Sequence, residues 1–182
     1  MQQQRTRTDL PPCALVIMGV SGSGKSTLGT FLADQLGAPF LEGDLFHPSD
    51  NVAKMRSGQP LDDNDRWPWL DDLGAAAGVA VRESGLAVVA CSALKRVYRE
   101  RLAQAAGVPV LFILLEADRD ELQHRLTCRP GHYMPVSLLG SQLAALERPG
   151  PGERALQLDS RLPPEHLAEA AQRWAHDTLL AS

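Results

Sequence analysis

The sequence predicts an α/β fold, a parallel sheet with helices on both faces, and three observations carry that expectation. Three short runs, ALVIM at 14–18, LAVVA at 86–90 and VLFILL at 110–115, are apolar at every position, as strands buried on both faces are. Longer stretches with helical periodicity separate them, the alternation expected of parallel βαβ units. A glycine-rich stretch, GVSGSGKS at 19–26, joins the first apolar run to the first helical pattern.

The elements follow in order. A strand at 14–18 leads to a helix at 27–36, which Gly37 stops. Residues 39–41 form a short strand entering the acidic turn EGD, and a helical stretch at 48–56 closes on Ser57, Gly58 and Pro60. The next helix spans 66–83 with Pro68 in its first turn, where a missing N–H is tolerated. The strand at 86–90 precedes a basic helix at 94–106 with Ser92 as its expected N-cap. A strand at 110–115 and a helix at 118–127 come next, then the loop CRPGHYMP and a helix at 136–147. A strand at 155–158 and a helix at 164–179 end the pattern. One domain over 1–182 is expected, with a frayed polar tail at 1–12, because RPGPGER is too short a linker to separate two.

Composition narrows the function classes. A chain of 182 residues buries roughly two-thirds of its unfolded surface, enough for a real core. The longest apolar run, 13–20, is far short of the ~20 residues that span a membrane, and MQQQRTRTDLPP lacks the apolar centre of a secretory signal. Cys13, Cys91 and Cys128 show no metal or disulfide spacing, so a reduced, cytoplasmic setting is expected. A net charge of −4 argues against non-specific nucleic-acid binding. Of the 18 basic residues only 3 are lysines, at Lys25, Lys54 and Lys95, so their positions are informative.

Gly19-Val20-Ser21-Gly22-Ser23-Gly24-Lys25-Ser26 matches GxxxxGK(S/T) in full, between a strand and a helix. Its glycines let backbone N–H groups curl around an anion, and the helix N-terminus adds about half a positive charge. Lys25 reaches the β- and γ-phosphates in such loops, the Ser26 hydroxyl coordinates Mg²⁺, and Thr27 follows in the first turn. The expected ligand is a nucleoside triphosphate, ATP with magnesium.

The second strand ends in EGDLFHP, which puts Asp44 and His47 at a crevice-facing strand end. A carboxylate there orients an acceptor hydroxyl and accepts its proton. Lys54 either pairs with Asp50 four residues earlier or faces the acceptor. Asp62, Asp63, Asn64 and Asp65 fail the calcium-loop pattern and read as a helix-capping cluster, with Arg66 facing the crevice or pairing with those acids. Lys95 and Arg96 in a first helical turn oppose the helix dipole, and Lys95 with Arg99 is a like-charge pair. A nearby anion explains that arrangement; the alternative is a solvated basic face with Arg96 paired to Glu100. Arg125, Arg129 and His132 flank the CRPGHYMP loop, where Pro and Gly permit a lid that brings arginines to a transferring phosphoryl group.

Together MGVSGSGKST, EGDLFHP, NVAKMRSGQPLDDNDRWPWL, CSALKRVYR and RPGHYM, in this order, resemble the gluconokinases of the shikimate-kinase-like P-loop group. The resemblance implies a P-loop NTPase fold with a five-stranded parallel sheet of order 2-3-1-4-5, a mobile lid at about 126–136 and a homodimer. It implies phosphoryl transfer from ATP to the 6-hydroxyl of D-gluconate, giving 6-phospho-D-gluconate. It assigns the phosphates and magnesium to Lys25 and Ser26, and the acceptor hydroxyl to Asp44. His47, Lys54, Arg66 and Lys95 match the sugar-acid side, with His132 in the lid beside them. Arg125 matches an arginine lying against adenine and Arg129 a lid arginine. Glu42 stands where some members carry Asp, within reach of a magnesium-bound water. The nearest alternative is a related kinase for another hydroxy acid such as shikimate. A GTPase switch would need an NKxD motif, and none is present.

Overall fold

A computed structural model describes residues 10–128 and 135–181. Most of the expected tail, and Arg129 and His132 of the expected lid, lie outside the described residues. Strands β1 (Cys13–Met18), β2 (Phe40–Glu42), β3 (Leu86–Ala90), β4 (Val110–Glu116) and β5 (Ala155–Asp159) form one sheet of order β2-β3-β1-β4-β5. Every neighbouring pair is parallel, as the resemblance implies. The helices are α1 (Lys25–Leu36), α2 (Ser49–Arg56), α3 (Asp63–Ser84), α4 (Arg96–Ala106), α5 (Arg119–Thr127), α6 (Leu139–Ala145) and α7 (Pro164–Leu180). Two 3-10 turns, Gly43–Phe46 and Val136–Leu138, complete the described elements.

The all-apolar strands follow from burial on both faces. Successive side chains of a strand point to opposite sides. Ala14, Val16 and Met18 therefore pack with Trp69, Leu73 and Leu102 of α3 and α4, while Leu15 and Ile17 pack with Leu28, Leu32 and Leu167 of α1 and α7. Both layers leave the C-terminal strand ends open, where a ligand crevice forms in such sheets.

Several element boundaries differ from expectation, and three of them bear on the site. Helix α3 starts at Asp63, not at 66, because Asp62 and Asp65 form a reciprocal capping box. Pro68 thus sits in the second turn, where the helix forgoes one backbone bond; buried Trp69 and Leu70 hold that turn against the sheet. Helix α4 starts at Arg96 with Lys95, not Ser92, as its N-cap. Ala93 adopts φ 43°, and Arg99 Nη1 donates to the carbonyls of Ala93 and Leu94 at 3.1 and 3.2 Å, so residues 92–95 stay out of the helix. The expected helix at 136–147 divides into the turn Val136–Leu138 and α6, with Leu146 already extended.

Arg99 is the centre of a buried clasp rather than a member of an exposed basic face. Its side chain is 2% exposed and pairs with Glu153 at 2.6 Å. Its Nη1 also reaches the Glu147 carbonyl at 3.0 Å, tying residues 92–95 to the chain beyond α6. Removing one partner of a buried pair costs about 3–5 kcal/mol. Arg99→Ala is expected to lower Tm by roughly 10 °C in thermal unfolding; a shift within error would show that the clasp does not stabilise the fold.

Candidate active site

The phosphate-loop motif folds as its composition requires. Gly19 turns the chain off β1 at φ 141°, and a Cβ there would lie 2.7 Å from the Leu115 carbonyl oxygen. Gly24 forms the N-cap of α1 in left-handed conformation, with no side chain capping the helix. The first amides of α1 thus lack intrahelical and side-chain partners, an arrangement suited to an anion. Lys25 Nζ donates to the Val20 carbonyl at 3.0 Å, curled over its own loop. Ser26 Oγ donates to Glu42 Oε2 at 2.5 Å, which joins the end of β2 to the first turn of α1. The buried hydroxyls of Ser21 and Ser23 have no hydrogen-bond partner among the described residues.

A cleft opens beside this loop, lined by Ser21, Lys25, Ser26, Asp44, His47, Arg66 and Ser92 among others. Asp44 stands in the turn Gly43–Phe46, half-buried. Trp69 fixes that turn twice: its Nε1 donates to the Gly43 carbonyl at 2.7 Å, and its ring stacks on His47 at 4.0 Å. Burial pushes the His47 imidazole down to about 4, with Arg66 adding to the shift and Asp44 opposing it. His47 is therefore neutral at pH 7.

This shift gives a pH prediction. The unfolded chain binds the His47 proton below its ordinary value of 6.5, the folded protein only near 4. The stabilisation is full above pH 6.5 and is lost as pH falls from there toward 4. His47→Gln is expected to flatten the fall in Tm across that window; a wild-type slope would show that the imidazole is not responsible.

Arg66 projects from the first turns of α3 over the Tyr98 ring, 5.2 Å from its centre. Its Nε is buried without a partner among the described residues. The two lysines expected on the acceptor side are held differently from Arg66. Lys54 bonds Asp65 at 2.6 Å rather than Asp50, and it is not among the side chains lining the cleft. Lys95 bonds Asp63 at 2.8 Å, and the Tyr98 hydroxyl bonds the same carboxylate. Lys95, Tyr98 and Arg66 line a recess adjoining the cleft. The basic start of α4 needs no external anion, since Lys95 meets Asp63, Arg96 meets Glu100 and Arg99 meets Glu153.

On the opposite side of the loop a second cleft is lined by Gly22, Gly24, Thr27, His124, Arg125, Ser160 and Leu162 among others. Arg125 is anchored there by Glu121 at 2.6 Å and by the Ser160 hydroxyl and carbonyl at 3.1 and 3.2 Å.

A family model described as an AAA domain matches residues 15–149. A gluconokinase of Gluconobacter oxydans (strain 621H) is 46% identical over 169 residues, 93% of this chain and 94% of that relative. The chain belongs to the gluconokinase family. The thermoresistant gluconokinase of Escherichia coli (strain K12) is 46% identical over 139 residues, 76% of this chain and 78% of its own. The crystal structure of a gluconokinase from Sinorhizobium meliloti 1021 superposes with TM-score 0.79 at 41% identity, over 93% of this chain and 95% of that one.

In this gluconokinase-family chain Glu42, which the resemblance sets within reach of a magnesium-bound water, is brought onto Ser26. One further side chain at the site was not legible in sequence. Gln142 accepts the Ser21 backbone N–H at 2.6 Å, and no motif marks it.

Proposed function

We infer that this chain transfers the γ-phosphoryl group of ATP to the 6-hydroxyl of D-gluconate, giving 6-phospho-D-gluconate and ADP. One observation carries the site assignment. The buried side-chain atoms left without partners among the described residues, Ser21 Oγ, Ser23 Oγ and Arg66 Nε, all border the clefts at the phosphate loop. Buried polar atoms are nearly always satisfied, so such a cluster is suited to a polar, anionic ligand.

The triphosphate lies on the loop amides and the N-terminus of α1, with Lys25 turned from the Val20 carbonyl onto the β- and γ-phosphates. The adenine side falls to the cleft of Thr27 and Arg125. Gluconate enters opposite, its 6-hydroxyl at Asp44 and its carboxylate toward Arg66, with neutral His47 for its hydroxyl groups. Lys95 borders this space from the adjoining recess, and Lys54 steadies Asp65 at the start of α3. Asp44 accepts the hydroxyl proton as the new O–P bond forms, and the old bond breaks with its electron pair on the β-phosphate of ADP. Arg129 and His132 are proposed to act from the loop, outside the described residues.

The residues present fit a magnesium ion, because the Ser26 hydroxyl and the neighbouring Glu42 carboxylate are hard oxygen donors. Such an ion needs few protein ligands when phosphates supply the rest; bound there, it neutralises charge on the transferring group. No helix among the described residues is long and apolar enough to cross a membrane. A cytoplasmic homodimer completes the proposal.

Substrate-dependent ADP release tests the assignment. Gluconate is expected to stimulate ADP formation and shikimate is not; no stimulation by gluconate would overturn it.

A further inference from the structure

We propose that Gln142 is a positioning residue for phosphoryl transfer, acting from α6 on the edge of the phosphate loop; the proposal rests on the kinase assignment above. The Ser21 N–H donates to Gln142 Oε1 at 2.6 Å, a contact spanning 121 residues of sequence. Gln142 is 8% exposed, on a helix whose Leu139 and Leu143 join an apolar cluster with Val20, Leu94, Leu122 and Leu126. Packing alone would favour another aliphatic residue at such a place, because a buried amide is tolerated only through its hydrogen bonds.

The placement of that bond gives it a role in the reaction. Ser21 is the third residue of GVSGSGKS and lines the cleft with Lys25 and Asp44, where donor phosphate meets acceptor hydroxyl. With its N–H engaged by Gln142, the anion cradle is left to the amides that follow, and Ser21 marks the cradle's outer edge. Gln142 itself lines both that cleft and the recess of Lys95 and Tyr98. One side chain therefore holds the donor loop and borders the acceptor's space.

The opposite flank of the loop is held by packing against α5, with Arg125 Nη1 adding a long bond to the Gly22 carbonyl at 3.5 Å. A Cβ on Gly22 would lie 3.1 Å from Leu126 Cγ of α5, so the loop tip is pressed against that helix. Gln142 supplies the polar tie from α6. Releasing it lets the Ser21 edge move relative to Asp44, and a misplacement of about 1 Å at a reacting centre costs on the order of 10²-fold in rate.

The test compares Gln142→Leu with Gln142→Glu under saturating ATP and gluconate. Leucine keeps the bulk and removes the acceptor, so kcat is expected to fall by about tenfold or more while KM for gluconate changes little. Glutamate keeps an acceptor at the same reach, so kcat stays near wild type, and its added charge beside the polyphosphate raises KM for ATP. An unchanged kcat in Gln142→Leu, with only Tm lowered, would overturn the proposal. So would a Gln142→Glu kcat as low as that of the leucine variant. Absence of gluconate-dependent ADP release in the wild-type protein would overturn the kinase assignment instead.

Discussion

Replacing Lys25 by alanine is expected to lower kcat by about 10²–10³-fold, the usual cost of removing one preorganised stabilising donor from a transition state. The lysine already sits over the loop, with Nζ 3.0 Å from the Val20 carbonyl, so a short swing brings its charge onto the phosphates. Charge builds on the oxygens of the transferring group, and an ammonium brought onto the loop when the triphosphate binds would meet it there. The fold should survive, because the Lys25 side chain is half-buried at the edge of a cleft and no core cluster includes it. Steady-state kinetics together with Tm separates the two effects. A near-wild-type kcat would remove Lys25 from the reaction.

Asp44→Asn carries the second large effect, a loss of about 10²–10⁴-fold in kcat, the range of general base catalysis. The turn that presents Asp44 is held by the Trp69 bond to Gly43 and the Trp69–His47 stack, neither of which involves the Asp44 carboxylate. The asparagine should therefore stand where the aspartate does, isosteric but unable to take a proton. ATP affinity, measured with a non-hydrolysable analogue, should change far less than kcat. An unchanged kcat would show that the acceptor hydroxyl loses its proton elsewhere.

What was legible in the sequence was local. The phosphate loop is eight contiguous residues whose conformations demand glycine, and the central strands declare themselves by having no polar face. Side-chain partners drawn from distant segments were not legible. Within its own helix Lys54 offers a pair with Asp50 or a contact to the acceptor, and Lys95 invites an external anion, yet Asp65 and Asp63 stand 11 and 32 residues away and meet them. Both acids belong to the first turn of α3, where the helix dipole already favours carboxylates, so two of the three lysines buttress the start of that helix. Arg99 misleads in the same way, as an exposed like charge to Lys95 by helical spacing and a buried partner of Glu153 in the fold. Gln142 is the extreme case, since a lone glutamine in a predicted helix says nothing of a loop 121 residues earlier.

The most direct test of the central claim is the structure of the product. Incubation with ATP, magnesium and ¹³C-labelled D-gluconate, followed by ³¹P and ¹³C NMR, is expected to show one phosphorylated sugar acid per ADP, with phosphorus coupled to C6. Phosphorus on another carbon, or ADP accompanied only by inorganic phosphate, would contradict the placement of the acceptor hydroxyl at Asp44.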